Sequence, residues 1–92
     1  MKKLILISAL IVTILSAAPN HTDAAAELIY LGSWHSEVPK IQQTLSGKGY
    51  FNHEVTGYYG HITRNAVIKF QNDCGIAADG IVGPITRSKL YS

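Results

Sequence analysis

A seven-residue segment of this chain occurs twice. Gly57-Tyr58-Tyr59-Gly60-His61-Ile62-Thr63 returns as Gly80-Ile81-Val82-Gly83-Pro84-Ile85-Thr86, with Gly, Gly, Ile and Thr kept at an offset of 23 residues. Each copy stands just ahead of a stretch with helical patterning. Glycine enters positive-φ backbone freely, so each copy reads as a tight turn that swings the chain into a helix. Pro84 fits the first position of such a helix, where its missing N–H goes unneeded. A turn-into-helix unit used twice in so short a chain points to a small helical architecture.

Residues 1–26 read as a targeting segment. Lys2 and Lys3 form a basic start, and an apolar run from Leu4 to Ala18 follows, shorter than the roughly 20 residues a spanning helix needs. Ala24-Ala25-Ala26 supplies small residues for cleavage, which predicts a secretory signal peptide with Glu27 as the mature start. The alternative is an uncleaved membrane anchor; with cleavage, no membrane attachment is expected. The mature chain would hold 66 residues, enough for one small domain, here a lead-in over 27–30 and a domain over 31–92. It would carry six basic and five acidic side chains, the basic ones scattered singly, which argues against nucleic acid as a partner. Cys74 is the sole cysteine, so no internal disulfide can form. Its place four residues after Phe70 suggests a small hydrophobe on an apolar stripe rather than a reactive thiol. A monomer is expected.

Three helices are predicted, giving an all-α fold. Ser36 is the expected N-cap of the first, with Glu37 in its first turn, Pro39 tolerated there, and Val38, Ile41 and Leu45 on one face. Gly47 and Gly49 should end it. The second runs from about His61 to about Asp73 with Ile62, Ala66, Val67 and Phe70 facing inward, and Gly75 breaks it. The third runs from Pro84 to near Tyr91 with a thin stripe of Ile85 and Leu90.

No pattern in the chain supports catalysis. His35, His53 and His61 lack the spacing of a H-E-x-x-H metal pair, so neither metal nor cofactor is expected. His35-Ser36-Glu37 matches a fragment of the deaminase signature without its downstream cysteines. Asn72-Asp73-Cys74-Gly75 is not the setting of a transpeptidase nucleophile. Glu37, Glu54, Asp73 and Asp79 lie in separate segments with no sign of a glycosidase carboxylate pair. Turn and capping duties account for these acids more simply.

From Leu31 to Leu90 the chain resembles the small three-helix bacterial peptidoglycan-binding domains attached to cell-wall and spore-cortex lytic enzymes. The resemblance rests on an ordered set: Leu31-Gly32-Ser33, Val38 with Ile41-Gln42 and Leu45, Gly49-Tyr50, Gly57 with Gly60 and Thr63, Ala66-Val67 with Phe70-Gln71, Gly75-Ile76, and Asp79-Gly80-Ile81-Val82-Gly83-Pro84 with Thr86 and Leu90. It implies peptidoglycan as the partner, through glycan strands, stem peptides or both; with the leader and the lack of a catalytic pattern, a secreted, non-catalytic protein of the cell wall is expected. The alternatives are a truncated targeting module of a lytic enzyme and an exported domain that binds a protein. Thr56 stands where an Asp commonly precedes the first repeat's glycine, which leaves the tightness of that turn open.

Sugars present flat apolar faces ringed by hydroxyls, so candidate ligand residues are aromatic, amide and charged side chains. Tyr58, Tyr59, Arg64, Tyr50, Gln71 and Trp34 are the candidates. One of Tyr58 and Tyr59 should point inward and the other toward a groove; Arg64 is placed to meet a carboxylate. Tyr50 reads more readily as half-buried core, Trp34 could pack on the start of the first helix, and Gln42 and Gln71 could equally cap or brace adjacent backbone.

Overall fold

A computed structural model describes residues 27–92; the expected signal peptide lies outside the described residues. Among the described residues there are three helices, α1 (Val38–Gly47), α2 (His61–Cys74) and α3 (Pro84–Leu90). No strands longer than isolated bridges occur among the described residues. The fold is a small all-α domain, and the helix ends fall within a residue or two of those the sequence predicts. None of the described helices is long and apolar enough to cross a membrane.

The core is built from one stripe of each helix and from the two repeat turns. Val38, Ile41 and Leu45 of α1 meet Val67 and Phe70 of α2 and Leu90 of α3, all buried. Tyr59 and Val82, equivalent positions of the two repeats, are both fully buried among them. Removing such side chains from water supplies about 1.5–3 kcal/mol each, the main force holding a domain this small. α1 and α2 end alike. Tyr50 N–H bonds to Leu45 C=O beyond a left-handed Gly49, and Ile76 N–H to Gln71 C=O beyond a left-handed Gly75.

Residues ahead of α1 are tied to both repeats. Ile29, itself fully buried, pairs antiparallel with Val82 through bonds of 3.0 and 2.8 Å. Trp34 pairs the same way with Tyr58, flanked by Tyr59 N–H to Ser33 C=O at 2.9 Å. The start of α1 is in turn held to α3. Arg87 donates to both carboxylate oxygens of Glu37 at 2.9–3.1 Å, and the Tyr91 hydroxyl donates to the same carboxylate at 3.0 Å. Lys40 Nζ sits 4.2 Å from the centre of the Tyr91 ring.

The structure departs from the sequence reading in three places. Ser36 does not cap α1: the N-cap is Glu37, in α conformation and without a side-chain cap. His35 Nδ1 instead accepts the Glu37 N–H at 2.9 Å. Ile62 and Ile85 face outward, 48% and 67% exposed, while Thr63 and Thr86 beside them turn inward. Of the four repeat glycines only Gly80 has positive φ, at 76°. Gly60 and Gly83 are extended N-caps of α2 and α3. Their lack of a side chain answers a space requirement: a Cβ would come within 3.2 Å of the Tyr58 ring and 3.1 Å of Leu28 respectively.

Candidate functional site

Each repeat turn is held from inside by one buried glutamine. Gln42 of α1 accepts Thr56 N–H at 2.7 Å and donates to Tyr58 C=O and Thr63 Oγ1 at 3.2 and 2.9 Å. Gln71 of α2 accepts Gly80 N–H at 2.9 Å and donates to Ile81 C=O and Thr86 Oγ1, both at 3.0 Å. Buried backbone groups left unpaired are costly, so a side-chain amide is the economical partner for a turn pressed against a core. The first residue of each turn completes it. Asp79 Oδ1 accepts Ile81 N–H at 2.9 Å, and Thr56 Oγ1 accepts Tyr58 N–H at 3.1 Å. Threonine thus does in the first copy what aspartate does in the second, and the first turn is closed.

Outward from these turns lie two clefts. The first, about 310 Å³, is lined by Thr56, Tyr58, Gly60, His61, Ile62 and Thr63 of the first repeat, with His53, Glu54, Phe51 and Gln42. The second, about 440 Å³, is lined by Asp79, Ile81, Gly83, Pro84, Ile85 and Thr86 of the second repeat, with Ile76, Ala77 and Leu28. Both are large enough for one ring or one long side chain. Tyr58 forms part of the first cleft's wall and is 39% exposed. Trp34, 75% exposed, packs on its ring at 4.8 Å between centres with the planes 40° apart. A pair of solvent-facing aromatic rings beside histidine, carboxylate and hydroxyl groups is the surface chemistry that meets the C–H face and the hydroxyls of a sugar.

The six candidate residues divide. Trp34 and Tyr58 come together on the surface. Tyr59 is interior: its hydroxyl donates to Gly80 C=O at 2.6 Å, and burial raises its pKa far above the ordinary tyrosine value. Gln71 is interior too, its amide engaged with the second turn. Tyr50 is half-buried, edge-on to Phe70, and its hydroxyl donates to Asp73, which raises its pKa. Arg64 is half-buried with its stem across Gly80, where an added Cβ would meet its Cγ at 2.9 Å. His53, Glu54, His61 and Ile62 also line the first cleft, and none of them is among the six candidates. The signal that could have found them is the repeat offset, which maps each onto a residue lining the second cleft. Among the described residues no group of three or more His, Cys, Asp or Glu is gathered as metal ligands would be.

This geometry belongs to a known class. The family model described as "Putative peptidoglycan binding domain" matches residues 35–90, and the chain belongs to that family. Among curated proteins it is 40% identical over 55 residues to the N-acetylmuramoyl-L-alanine amidase CwlM of Mycobacterium tuberculosis, covering 60% of this chain and 14% of CwlM. Among solved structures it is similar to a peptidoglycan-binding protein of Clostridioides difficile in complex with glutamine hydroxamate. The TM-score there is 0.69 at 38% identity, over 74% of this chain and 42% of that one. It also matches the SleB N-terminal domain, with a TM-score of 0.68 at 30% identity, covering 70% of this chain and 88% of that domain. The chain thus spans about a seventh of the length of the amidase and most of the isolated SleB domain.

Proposed function

We propose that this protein is exported by its leader and binds peptidoglycan without cleaving it, through the outward face of its first repeat. The observation that carries the reading is the exposed Trp34–Tyr58 pair at a polar cleft, in a chain of the peptidoglycan-binding family. A sugar ring stacked on Tyr58 or Trp34 would leave its hydroxyl and amide substituents facing His53, Glu54 and His61. One shallow cleft binds weakly, and retention on the wall would come from the many copies of the ligand that the polymer presents together. The relatives that carry this module in longer chains include enzymes named for wall amidase activity, so targeting is the role that fits the module itself.

The test is to mix the purified protein with insoluble peptidoglycan and measure the fraction that sediments, while following the turbidity of the suspension. Sedimentation at constant turbidity is the expected result. A folded protein that stays in the supernatant overturns the reading, and falling turbidity overturns its non-catalytic part.

A further inference from the structure

The two clefts are the same cleft built twice. At the repeat offset of 23, eight of the nine residues lining the second map onto residues lining the first. Ile76 and Ala77 stand for His53 and Glu54, Asp79 for Thr56, and Ile81 for Tyr58; Gly83, Pro84, Ile85 and Thr86 stand for Gly60, His61, Ile62 and Thr63. Only Leu28 has no counterpart at that offset. The inner supports are kept, a glutamine on a threonine hydroxyl in both, whereas the lining chemistry is not. Where the first cleft has two histidines, a glutamate and a tyrosine, the second has proline, alanine and two isoleucines. The reverse change occurs at one position only: the first cleft's Thr56 hydroxyl becomes the carboxylate of Asp79.

That carboxylate has spare capacity. Its Oδ1 takes the Ile81 N–H and, at 3.3 Å, an amide hydrogen of Gln71, while its Oδ2 has no partner among the described residues. The ion pairs among those residues are His35–Glu27 and Arg87–Glu37; Arg64, whose stem crosses the neighbouring Gly80, forms none with Asp79. An unpaired negative charge thus stands at one edge of an apolar trough of about 440 Å³ walled by Leu28, Ile76, Ile81 and Ile85.

We propose that the second cleft is a ligand site of its own, shaped for an aliphatic chain ending in a primary ammonium group. The methylenes would lie along the isoleucines and the ammonium would meet Asp79. Resting on the wall-binding reading above, the inference names the part of the polymer concerned. It is the diamino acid of the stem peptide, whose side-chain amine is free wherever the peptide is not cross-linked. The first cleft then takes sugar and the second takes peptide, so the protein favours uncross-linked wall.

Isoleucine methyl NMR separates the two clefts, because Ile62 reports the first and Ile76, Ile81 and Ile85 report the second. The probes are a monomeric disaccharide-tetrapeptide with a free diamino-acid amine, the same compound with that amine acetylated, and a peptide-free glycan oligomer. The free-amine compound should shift Ile76, Ile81 and Ile85, and the peptide-free glycan should shift Ile62 alone. Acetylation and Asp79→Asn should each weaken the second-cleft titration by about two- to fivefold, the range for a solvent-exposed ion pair. Asparagine keeps the turn's acceptor, so the variant stays folded. The proposal is overturned if the free-amine compound moves only Ile62, or if acetylation and Asp79→Asn both leave the titration unchanged. Methyl shifts that depend on protein concentration without ligand would assign the cleft to a second copy of the chain and overturn it as well. Any of these results with sedimentation intact sinks this inference alone, whereas loss of sedimentation sinks the wall-binding reading.

Discussion

The first and second repeats share an interior and differ on their surfaces. Inside, Gln42 with Thr63 and Gln71 with Thr86 make the same bonds to the same turn, and Tyr59 and Val82 fill equivalent places in the core. Outside, one copy shows a tyrosine backed by a tryptophan and the other an isoleucine over an apolar trough. The shared part carries stability, and the divergent part is where the proposed recognition lies. A domain of this kind can change its ligand chemistry without changing its fold, because the cleft positions that diverge, His53, Glu54, Tyr58 and His61 against Ile76, Ala77, Ile81 and Pro84, are not the glutamine and threonine side chains that hold the turns.

The largest effect should come from the interior. Gln71→Ala strips the partners from Gly80 N–H and Ile81 C=O at a fully buried position and should cost about 3 kcal/mol or more in denaturant unfolding. Gln42→Ala should cost less, about 2 kcal/mol, because Thr56 and Tyr58 are exposed and water can replace the lost bonds. Equal costs would mean that the first turn is as dry as the second.

Next is the clamp between α1 and α3, which has no counterpart in the first repeat. Burial pushes the Glu37 carboxyl up, but the hydrogen bonds from Arg87 and Tyr91 and the charges of Arg87 and His35 outweigh it. The net pKa lies below the ordinary 4.5. A carboxyl depressed in the folded state contributes stability that is fully present above its unfolded value and is lost as pH falls through the folded one. Stability should therefore decline below about pH 4.5. Glu37→Gln should cost about 2 kcal/mol at neutral pH and flatten that decline, as read by denaturant midpoints across pH. An unchanged acid slope in the variant would show that another carboxylate governs it.

Glycine substitutions probe the comparison at a finer scale. Gly80→Ala forces a side chain into positive φ and against Arg64 Cγ, and should cost about 1–2 kcal/mol. Gly57→Ala at the equivalent place meets nothing nearer than 3.9 Å and should change stability by less than about 0.5 kcal/mol. Similar losses at both sites would mean that the two turns share a backbone conformation after all.

Much of this was legible in the sequence because it is local. The helix ends follow from glycine and proline placement, and the offset of 23 exposes the two turns. An inward and an outward tyrosine follow from two aromatic residues meeting one core. Other features depend on contacts between distant segments. Arg87 reaches Glu37 across 50 positions, and no spacing rule announces that pair. Ile62 and Ile85 read as core by helical period, yet each sits in the first turn of its helix on the cleft side, while the neighbouring threonine takes the inner place to meet a glutamine. The cleft-lining His53 and Glu54 match their counterparts in position and not in residue type, so identity alone could not find them. Thr56 replaces Asp79's function because a turn needs only an acceptor two residues ahead of an N–H, which either side chain provides.

The smallest effect on stability should accompany the largest on binding. Trp34 and Tyr58 are exposed, so replacing both with alanine should shift the melting temperature by only a few degrees. The decisive measurement is the fraction of this double variant that sediments with insoluble peptidoglycan, beside the parent protein and with a helical melt on the same sample. A folded variant left mostly in the supernatant, under conditions where the parent sediments, is the expected result. A folded variant that sediments as well as the parent would contradict it.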